Sequence, residues 1–344
     1  MLNITQKLPH ALLNWYDKNA RPLPWRADRL PYHVWLSEIM LQQTGVETVI
    51  GYYRRFLEEV PSIEVLAETD EQRLLKLWEG LGYYSRALNL KKTAGLIVRE
   101  HGGRFPDTYD QLIKLPGIGP YTAGAIASIC FEEKVPAVDG NVVRVISRVA
   151  GIYESISPSV LKKTIAESLT LIYPQKRRGD FTQSLMELGA TVCLPRGNPK
   201  CGICPIEDLC KANKDNMIAH CPPKQERKAK KQQDISVFIL ICDRLLAVRR
   251  RKKEGLLGGM WEFPNIAEKL DSSQAMELAA QWNTKPASII KSDDKIHLFT
   301  HIQWNMTCYS IVCHAKPNAF TWLSLSSLTE SFALPTAFRM FLTA

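Results

Sequence analysis

The sequence lacks the segments that would place the protein in or across a membrane. No run approaches the roughly 18 consecutive apolar residues of a membrane span. Residues 1–8 lack the charged, apolar and small-residue pattern of a secretory signal. Internal repeats and long low-complexity tracts are missing as well. We therefore expect no membrane partner and a location in the cytoplasm.

The sequence also lacks an evenly spread, even-numbered set of cysteines. Its nine cysteines are an odd number, and four of them crowd between Cys193 and Cys210. A secreted disulfide framework would spread its cysteines along the chain and pair them. The pattern instead favours a metal or cluster site in a reducing compartment.

Negative charge is in deficit, because 35 acidic residues face 44 lysines and arginines and leave a formal net charge of +9 at pH 7. Lys and Arg contacts release counterions from phosphates, so this excess suits a polyanionic partner. Many basic proteins bind no nucleic acid, so charge alone leaves both possibilities open. The 344 residues, 45 % of them hydrophobic, suffice for two domains that each have a core.

The chain changes character near residue 221. Before it, apolar residues recur with helical spacing between Gly and Pro breaks, in residues 32–44, 69–77, 121–130 and 160–171. Residues 222–233 read PPKQERKAKKQQ, a basic and solvated linker by composition. We predict an all-α domain over residues 1–221, a linker over residues 222–234 and a second domain over residues 235–344.

The second domain has the pattern of an α+β fold. Residues 235–241 and 245–248 predict a hairpin around Asp243 and Arg244, and residues 296–313 alternate like a long strand pair. Helical patterns follow at residues 272–282 and 336–342.

Four cysteines have the spacing C-x7-C-x2-C-x5-C, and they are Cys193, Cys201, Cys204 and Cys210. Thiolates are soft ligands, and four on one short loop can close around a zinc ion or a 4Fe–4S cluster. Structural zinc more often uses two paired CxxC knuckles, whereas this loop has one CxxC pair. The spacing favours the cluster and leaves zinc as the alternative.

The segment LPGIG, from Leu115 through Gly117 to Gly119, predicts a tight turn before a helix of small residues. Backbone N–H groups at such a helix start can hold a DNA phosphate without reading sequence. A Gly-x-Gly pair alone is weak evidence, because many helices begin in this way.

Two carboxylates are candidates for catalysis. Glu38 lies within the apolar helix pattern VWLSEIMLQQT, where desolvation would raise its pKa and make it a possible general acid. Asp139 lies in VPAVDGNVVRV, before Gly140 and Asn141, at a predicted turn or helix start. Taken singly, Glu38 is better explained by an ion pair or a solvent-facing position, and a helix N-cap is a common explanation for an aspartate such as Asp139.

These segments occur in one order along the chain: SEIMLQQT, GLGYYSRA, LPGIGPYTAGAI, VDGNVVRV and the four-cysteine loop. Together they resemble the helix–hairpin–helix DNA glycosylases, and within them the adenine glycosylases of the MutY type. The resemblance covers essentially the whole chain. It implies a monomer with two helical subdomains, an active site between them and a 4Fe–4S cluster. It further implies excision of adenine mispaired with 8-oxoguanine or guanine in double-stranded DNA of a bacterial-type nucleoid.

The resemblance also implies residue roles. Glu38 matches the general acid and Asp139 the second catalytic carboxylate, while Tyr121 and Asn141 match residues that assist. Gln43 and Tyr83 match positions that probe or wedge the duplex, and ordinary packing explains Tyr84 better. In relatives that cleave the strand, a lysine stands where this chain has Tyr121, so the resemblance implies a monofunctional enzyme that uses water.

The second domain resembles the Nudix-like module of these enzymes and keeps GLLGGMWEFPN, but it lacks the paired glutamates of the Nudix metal helix. The resemblance therefore implies recognition of the damaged base, through Phe299, Thr300 and His301, rather than nucleotide hydrolysis. This chain has Thr300 where the family more often has serine, and seven residues in its first cysteine gap where the family usually has six. Gly197 is the residue predicted to absorb the insertion.

Two other functions remain as alternatives. A bifunctional pyrimidine-lesion glycosylase and lyase is disfavoured by Tyr121 and by the second domain. A non-catalytic iron–sulfur DNA-binding protein would require Glu38 and Asp139 to be structural only.

Overall fold

The computed structural model describes residues 2, 4–195, 198–223, 229–252 and 254–342. Gly197 and residues 224–228 of the predicted linker lie outside these ranges. Within them, no helix is both long and apolar enough to cross a lipid bilayer. The chain divides into two compact units, one of Met1–Glu68 with Asn89–Glu226 and the other of Thr69–Leu88 with Arg227–Ala344.

The first unit is built from α-helices, as predicted. In chain order, its helices are α1 (Leu8–Asn19), α2 (Pro31–Met40), α3 (Val46–Glu59), α4 (Ile63–Glu68), α6 (Ser85–His101), α7 (Tyr109–Leu112), α8 (Pro120–Phe131), α9 (Gly140–Ala150), α10 (Pro158–Ile172), α11 (Arg178–Thr191) and α12 (Lys211–Lys214). Helix α5 (Glu71–Leu77) lies in the other unit, and the first residues of α6 also belong to that unit.

One core of this unit lies where α1, α9, α10 and α11 meet, around Leu12, Val145, Ile165 and Leu185. A second contact joins α2 to α8, which in turn packs on α11. Most of α8 is buried, and its buried residues are mostly Ala, Gly, Ser and Thr, so that neighbouring backbones can approach closely. This packing holds α2, α8, α9 and α11 around one cleft.

The predicted tight turn before α8 is present. Gly117 has a φ of +74°, and a Cβ added there would lie 2.7 Å from the Cβ of Asn89 on α6. Only glycine fits this combination of left-handed backbone and close approach. The Thr93 hydroxyl donates to the carbonyl of Pro116 at 2.6 Å and holds the turn against α6. Gly119 is the exposed N-cap of α8.

The second unit contains a mixed sheet with helices on both faces. Its strands are β1 (Lys231–Cys242), β2 (Leu245–Arg250), β3 (Trp261–Glu262), β4 (Asn265–Ile266), β5 (Pro286–Leu298), β6 (Ile302–Cys313) and β7 (Thr321–Leu323), and its later helices are α13 (Ser272–Gln281), α14 (Leu325–Ser331) and α15 (Thr336–Arg339). The order is β3-β2-β1-β6-β5, with β1 parallel to β6, β4 paired with β1 and β7 paired with β2.

The central strand β1 shows why its apolar run is continuous. Val237 and Ile239 face a core shared with Phe338 of α15, whereas Phe238 and Leu240 face a core shared with α13. Both faces of the strand are covered, so alternate side chains are apolar on either side.

The predicted hairpin between β1 and β2 is confirmed. Cys242 pairs with Leu245, so Asp243 and Arg244 form a two-residue loop. Their φ values of +50° and +62° are those of a type I′ turn.

Three boundaries differ from the prediction. Strand β1 already begins at Lys231, and Lys231 pairs with Ile302, so the last residues of the predicted linker belong to the sheet. Strand β5 begins at Pro286 rather than near residue 296. Both segments are polar and largely exposed, so they lack the alternation that signals a strand.

The third difference is that Thr69–Leu88 belongs to the second unit, although the prediction assigned it to the first. Here Glu71 forms an ion pair with Arg250 at 2.7 Å. Glu79 accepts a hydrogen bond from the backbone N–H of Leu334 at 2.9 Å. These partners lie 179 and 255 positions away, so no local pattern could indicate them.

Candidate active site

The first unit contains a cleft of about 1340 Å³. It is lined from α2 and the turn after it, from α8, from the start of α9 and from α11. The predicted site residues that line it are Glu38, Gln43, Gly119, Tyr121, Asp139 and Asn141. Leu115 and Gly117 lie in the turn that precedes α8. Helix α2 ends at Met40 rather than at Thr44, and Gln43 follows with a left-handed φ of +61°.

Glu38 is the buried carboxyl of this cleft, with 6 % of its surface exposed. Its Oε2 atom accepts a hydrogen bond from the Tyr121 hydroxyl. Burial raises the pKa of Glu38 to about 7, and the negative charge of Asp139 adds to the increase, while the Tyr121 hydrogen bond and Arg26 oppose it. The predicted upward shift is confirmed, and a solvent-facing glutamate is excluded.

Tyr121, in the first turn of α8, is the partner of Glu38. Burial, together with the charges of Glu38 and Asp139, raises the pKa of Tyr121 well above its ordinary value. The phenol therefore stays protonated at neutral pH and acts as a hydrogen-bond donor to the carboxyl group.

Asp139 is both the N-cap of α9 and a wall of the cleft. Its Oδ1 accepts from the backbone N–H of Val142 at 2.7 Å, and its Oδ2 accepts from the amide of Asn141 at 2.7 Å. Two donors and the positive end of a helix suit a carboxylate anion. Asp139 can therefore be both the N-cap of α9 and a functional group of the cleft, because the same two hydrogen bonds fix the orientation of its carboxylate.

A chain of hydrogen bonds leads from Asp139 to the cysteine loop. Arg144, one turn after Asn141, donates to the Asn141 side-chain oxygen at 2.8 Å and to the carbonyl of Cys193 at 2.7 Å. At Gly189 of α11, a Cβ would lie 2.5 Å from the Cβ of Asn141, so glycine is required for this approach. Arg144 was not among the predicted residues, although its i+3 spacing from Asn141 was a usable signal.

The cleft wall also contains an ion cluster that was not predicted from the sequence. Glu187 is fully buried and pairs with Arg21 at 2.6 Å and with Arg26 at 2.8 Å. Burial acts to raise the pKa of Glu187, but the hydrogen bonds from the two arginines hold it below its ordinary value. All three side chains line the cleft.

The four predicted cysteine ligands, Cys193, Cys201, Cys204 and Cys210, line one pocket of the first unit. Arg148 borders it: its guanidinium group donates to the Cys193 sulfur at 3.1 Å, and its backbone carbonyl accepts from the Cys210 thiol at 3.5 Å. Among the residues that the structure describes, no three His, Cys, Asp or Glu side chains converge tightly enough to hold a single metal ion. Four thiols around one pocket are the donor set that an iron–sulfur cluster takes.

The second unit brings together two other predicted residues. The hydroxyl groups of Tyr83 and Thr300 form a hydrogen bond, and both residues are exposed. Phe299, Thr300 and His301 form the tip between β5 and β6, closed by a bond from the Phe299 N–H to the Ile302 carbonyl at 2.9 Å. The Phe299 ring packs on Trp304, with 4.9 Å between ring centres. Tyr84 is buried, as expected of a packing residue.

Comparisons with known proteins agree with this arrangement. Residues 36–170 match the HhH-GPD superfamily of base excision DNA repair proteins, residues 193–210 the iron–sulfur binding domain of endonuclease III and residues 236–344 the NUDIX domain. A thermostable thymine-DNA glycosylase, 29 % identical, covers 61 % of this chain and 97 % of its own, with a TM-score of 0.54.

Relatives that match most of this chain and most of their own length show the family. The adenine DNA glycosylase of Mus musculus is 33 % identical over 96 % of this chain and 77 % of its own length. That of Buchnera aphidicola subsp. Schizaphis graminum is 35 % identical over 84 % of this chain and 82 % of its own. The chain belongs to the adenine DNA glycosylase family. It is a base excision repair enzyme with a helix–hairpin–helix unit, a 4Fe–4S cluster and a Nudix-like domain.

The Nudix-like domain of this adenine DNA glycosylase keeps little of the Nudix acid set. Helix α13 carries one acidic residue, Glu277. Nudix hydrolysis needs several carboxylates on one helix to hold divalent metal ions. Recognition rather than hydrolysis remains the expectation for this domain.

The cluster loop of this glycosylase makes a first testable prediction. The purified protein should be brown, with broad absorption near about 400 nm from thiolate-to-iron charge transfer. Cys204→Ser should lose iron and also lower excision, because the loop carbonyl of Cys193 supports Arg144 and Asn141. Cys242→Ser, a buried cysteine of the other unit, is the matched control and should keep both. A colourless, active protein with stoichiometric zinc would contradict the cluster.

Proposed function

We propose that this chain hydrolyses the N-glycosidic bond of adenine mispaired with 8-oxoguanine or guanine, as a monomer acting on double-stranded DNA of the nucleoid. The observation that carries the proposal is the pair of unlike carboxyls in one cleft. Glu38 is buried with a pKa raised to about 7, and Asp139 is held by two donated hydrogen bonds. Acid-assisted glycoside cleavage needs such a pair, one protonated and one ionised.

The proposed chemistry follows from these states. Adenine is a poor leaving group as an anion, so Glu38 donates its proton to N7 and the base departs neutral. Departure leaves positive charge on the deoxyribose, which Asp139 stabilises by its charge or by a transient covalent bond. Water then completes the hydrolysis. Tyr121 holds Glu38 in place, and Asn141 orients Asp139.

The target base must leave the stack to reach Glu38. We propose that Gln43 and Tyr83 probe and wedge the duplex, and that the Leu115–Gly117–Gly119 turn holds a phosphate. We propose that the ligands of the 4Fe–4S cluster are Cys193, Cys201, Cys204 and Cys210. A bound cluster would cross-link this loop, whose Cys193 carbonyl accepts a hydrogen bond from Arg144.

One assay tests the function. The protein is incubated with a duplex that contains a single adenine opposite 8-oxoguanine, and with a matched duplex in which that adenine faces thymine. We expect an abasic site in an intact strand of the first duplex alone, and little borohydride-trapped Schiff base. Active-site-dependent trapping would favour the bifunctional glycosylase and lyase instead. Binding without any abasic site would favour the non-catalytic DNA-binding protein.

We propose that Phe299, Thr300 and His301 read the damaged base. Oxidation gives guanine a carbonyl at C8 and turns N7 from acceptor to donor, and one hydroxyl can serve both groups. Thr300→Ala with His301→Ala should narrow the affinity difference between 8-oxoguanine and guanine by about 1–3 kcal/mol, the scale of base-edge readout. The measurement is binding to duplexes with a non-cleavable adenine analogue at fixed salt.

The control for this loop is His314→Ala with Thr321→Ala, an exposed pair elsewhere in the same unit. That variant should keep the wild-type preference. If the recognition-loop variant also kept it, the damaged base would be read by the helical unit.

A further inference from the structure

The loop between α5 and α6 presents one exposed aromatic ring in an unusual backbone conformation. Tyr83 has a φ of +48°, in the left-handed region that bulky residues rarely adopt. The residue is 45 % exposed, although large aromatic rings are normally covered. Such strain persists only where the surrounding structure over-determines it, and it often marks functional sites.

Arg86, one residue into α6, supplies that surrounding structure. It is 8 % exposed, and its Nη2 atom donates to the carbonyls of Leu81 and Gly82, each at 3.0 Å. Its backbone N–H donates to the carbonyl of Tyr83 at 2.9 Å. The indole N–H of Trp78 adds a second donor to the Gly82 carbonyl at 3.2 Å. The three carbonyls that lead into and through Tyr83 are thus all engaged.

The guanidinium group also contacts the ring itself. Its central carbon lies 5.8 Å from the centre of the Tyr83 ring and 5.3 Å from that of Trp78. One planar cation therefore bonds two backbone carbonyls and faces two aromatic rings. Lysine cannot reproduce this, because an ammonium group is a point charge without a planar face.

Removing the Arg86 guanidinium group from water costs free energy, which other contacts must offset. Desolvation lowers the pKa of Arg86 to about 10, which shows how far the group is removed from water. The carbonyls and rings around it offset part of that cost. Some of these contacts are made to the Tyr83 ring and to the carbonyl just before it, so the buried charge is in direct contact with the exposed residue.

We propose that Arg86 is a positioning residue for DNA engagement, holding Tyr83 in its left-handed conformation so that the ring is preset to enter the base stack. The proposal rests on the proposed function, since it takes Tyr83 as the wedge. Without Arg86, Tyr83 relaxes to an ordinary backbone conformation and its ring loses its fixed direction. Binding must then order the loop, so affinity falls while the chemical step at Glu38 is spared.

A double-mutant cycle tests this role. The probe is a duplex with a non-cleavable adenine analogue opposite 8-oxoguanine and a neighbouring 2-aminopurine paired with thymine, whose fluorescence rises when the stack opens. Arg86→Lys and Tyr83→Ala should each weaken binding by about tenfold, the scale of one ordering cost, and reduce the fluorescence rise. The combined variant should be no worse than Tyr83→Ala, because Arg86 acts through Tyr83.

Further readouts separate positioning from simple loss of fold. Excision at saturating enzyme should change far less than affinity in Arg86→Lys, with melting temperature and cluster absorbance near wild type. Trp78→Phe keeps a ring under the guanidinium but removes the donor to Gly82, and it should give a smaller defect in the same direction. It serves as the second variant if Arg86→Lys does not fold.

Three outcomes would overturn the proposal. Additive defects in the double variant would mean that Arg86 acts independently of Tyr83. If Arg86→Lys and Trp78→Phe both opened the stack like the wild type while Tyr83→Ala did not, Tyr83 would still be the wedge. Arg86 would then have no part in positioning it. A wild-type Tyr83→Ala would remove the wedge itself. Excision of adenine by the wild-type protein reports separately on the proposed function.

Discussion

Glu38→Gln is expected to slow adenine release by about 10²- to 10⁴-fold, the usual contribution of a positioned general acid. The substitution keeps the shape of the side chain and its bond to Tyr121 but removes the acidic proton. Binding to a duplex with a non-cleavable adenine analogue should change little. The measurement is single-turnover excision from an adenine:8-oxoguanine duplex at saturating enzyme.

The pH profile gives this prediction a second, independent test. Burial raises the pKa of Glu38 to about 7, so the protonated form is present below that pH and is lost above it. The wild-type excision rate should therefore fall above about pH 7, approaching tenfold per pH unit. The residual rate of Glu38→Gln should lack this decline.

The stability of the wild type should fall with rising pH as well. The folded state holds the Glu38 proton more tightly than the unfolded state between the ordinary carboxyl pKa of 4.5 and about 7, so the wild type loses stability as pH rises through that window. At one pKa unit per 1.36 kcal/mol, the loss is on the order of 3 kcal/mol. Glu38→Gln should thus melt above the wild type at pH 8 and gain little at pH 4.

The matched control is Glu58→Gln, the same chemical change on the exposed part of α3. It should leave excision, its pH profile and melting unchanged. Near wild-type excision by Glu38→Gln would remove Glu38 from the role of acid.

Asp139→Asn is expected to slow excision by about 10²- to 10³-fold, as when one electrostatic group that stabilises a transition state is removed. Asparagine is as good a helix N-cap as aspartate, so α9 should keep its start and the protein its melting temperature. The lost property is the negative charge that faces the developing sugar cation. The measurement is again single-turnover excision, compared with affinity for the non-cleavable duplex.

Asp271→Asn supplies the control, because Asp271 is the N-cap of α13 in the other unit and accepts a bond from the Gln274 N–H at 2.9 Å. The same substitution at the same kind of position should leave excision unchanged. If Asp139→Asn excised adenine like this control, Asp139 would be an N-cap and no more.

Several features of the site were readable from the sequence because they depend on near neighbours along the chain. The apolar residues around Glu38 predicted a raised pKa, and burial in α2 produces it. The two-residue loop at Asp243 and Arg244 was predictable from the strands on either side. The crowding of four cysteines predicted a shared site, and they line one pocket.

Other features were decided only by tertiary structure, because their partners are far apart along the chain. Glu187 meets Arg21 and Arg26 across 166 and 161 positions, and no local pattern indicates which arginine a buried glutamate will find. The edge strand β5 begins ten residues before the predicted strand pair, because exposed strand residues need not alternate in polarity.

The two units show the same division most clearly. Local periodicity predicted the helix α5, but only the packed fold shows that Thr69–Leu88 belongs with the Nudix-like domain. The motif GLGYYSRA identified Tyr83, whereas only the fold shows that the Arg86 guanidinium lies over its ring and that its hydroxyl group bonds to Thr300. The periodicity of apolar residues indicates which residues are buried. Only the three-dimensional contacts show which residues bury them.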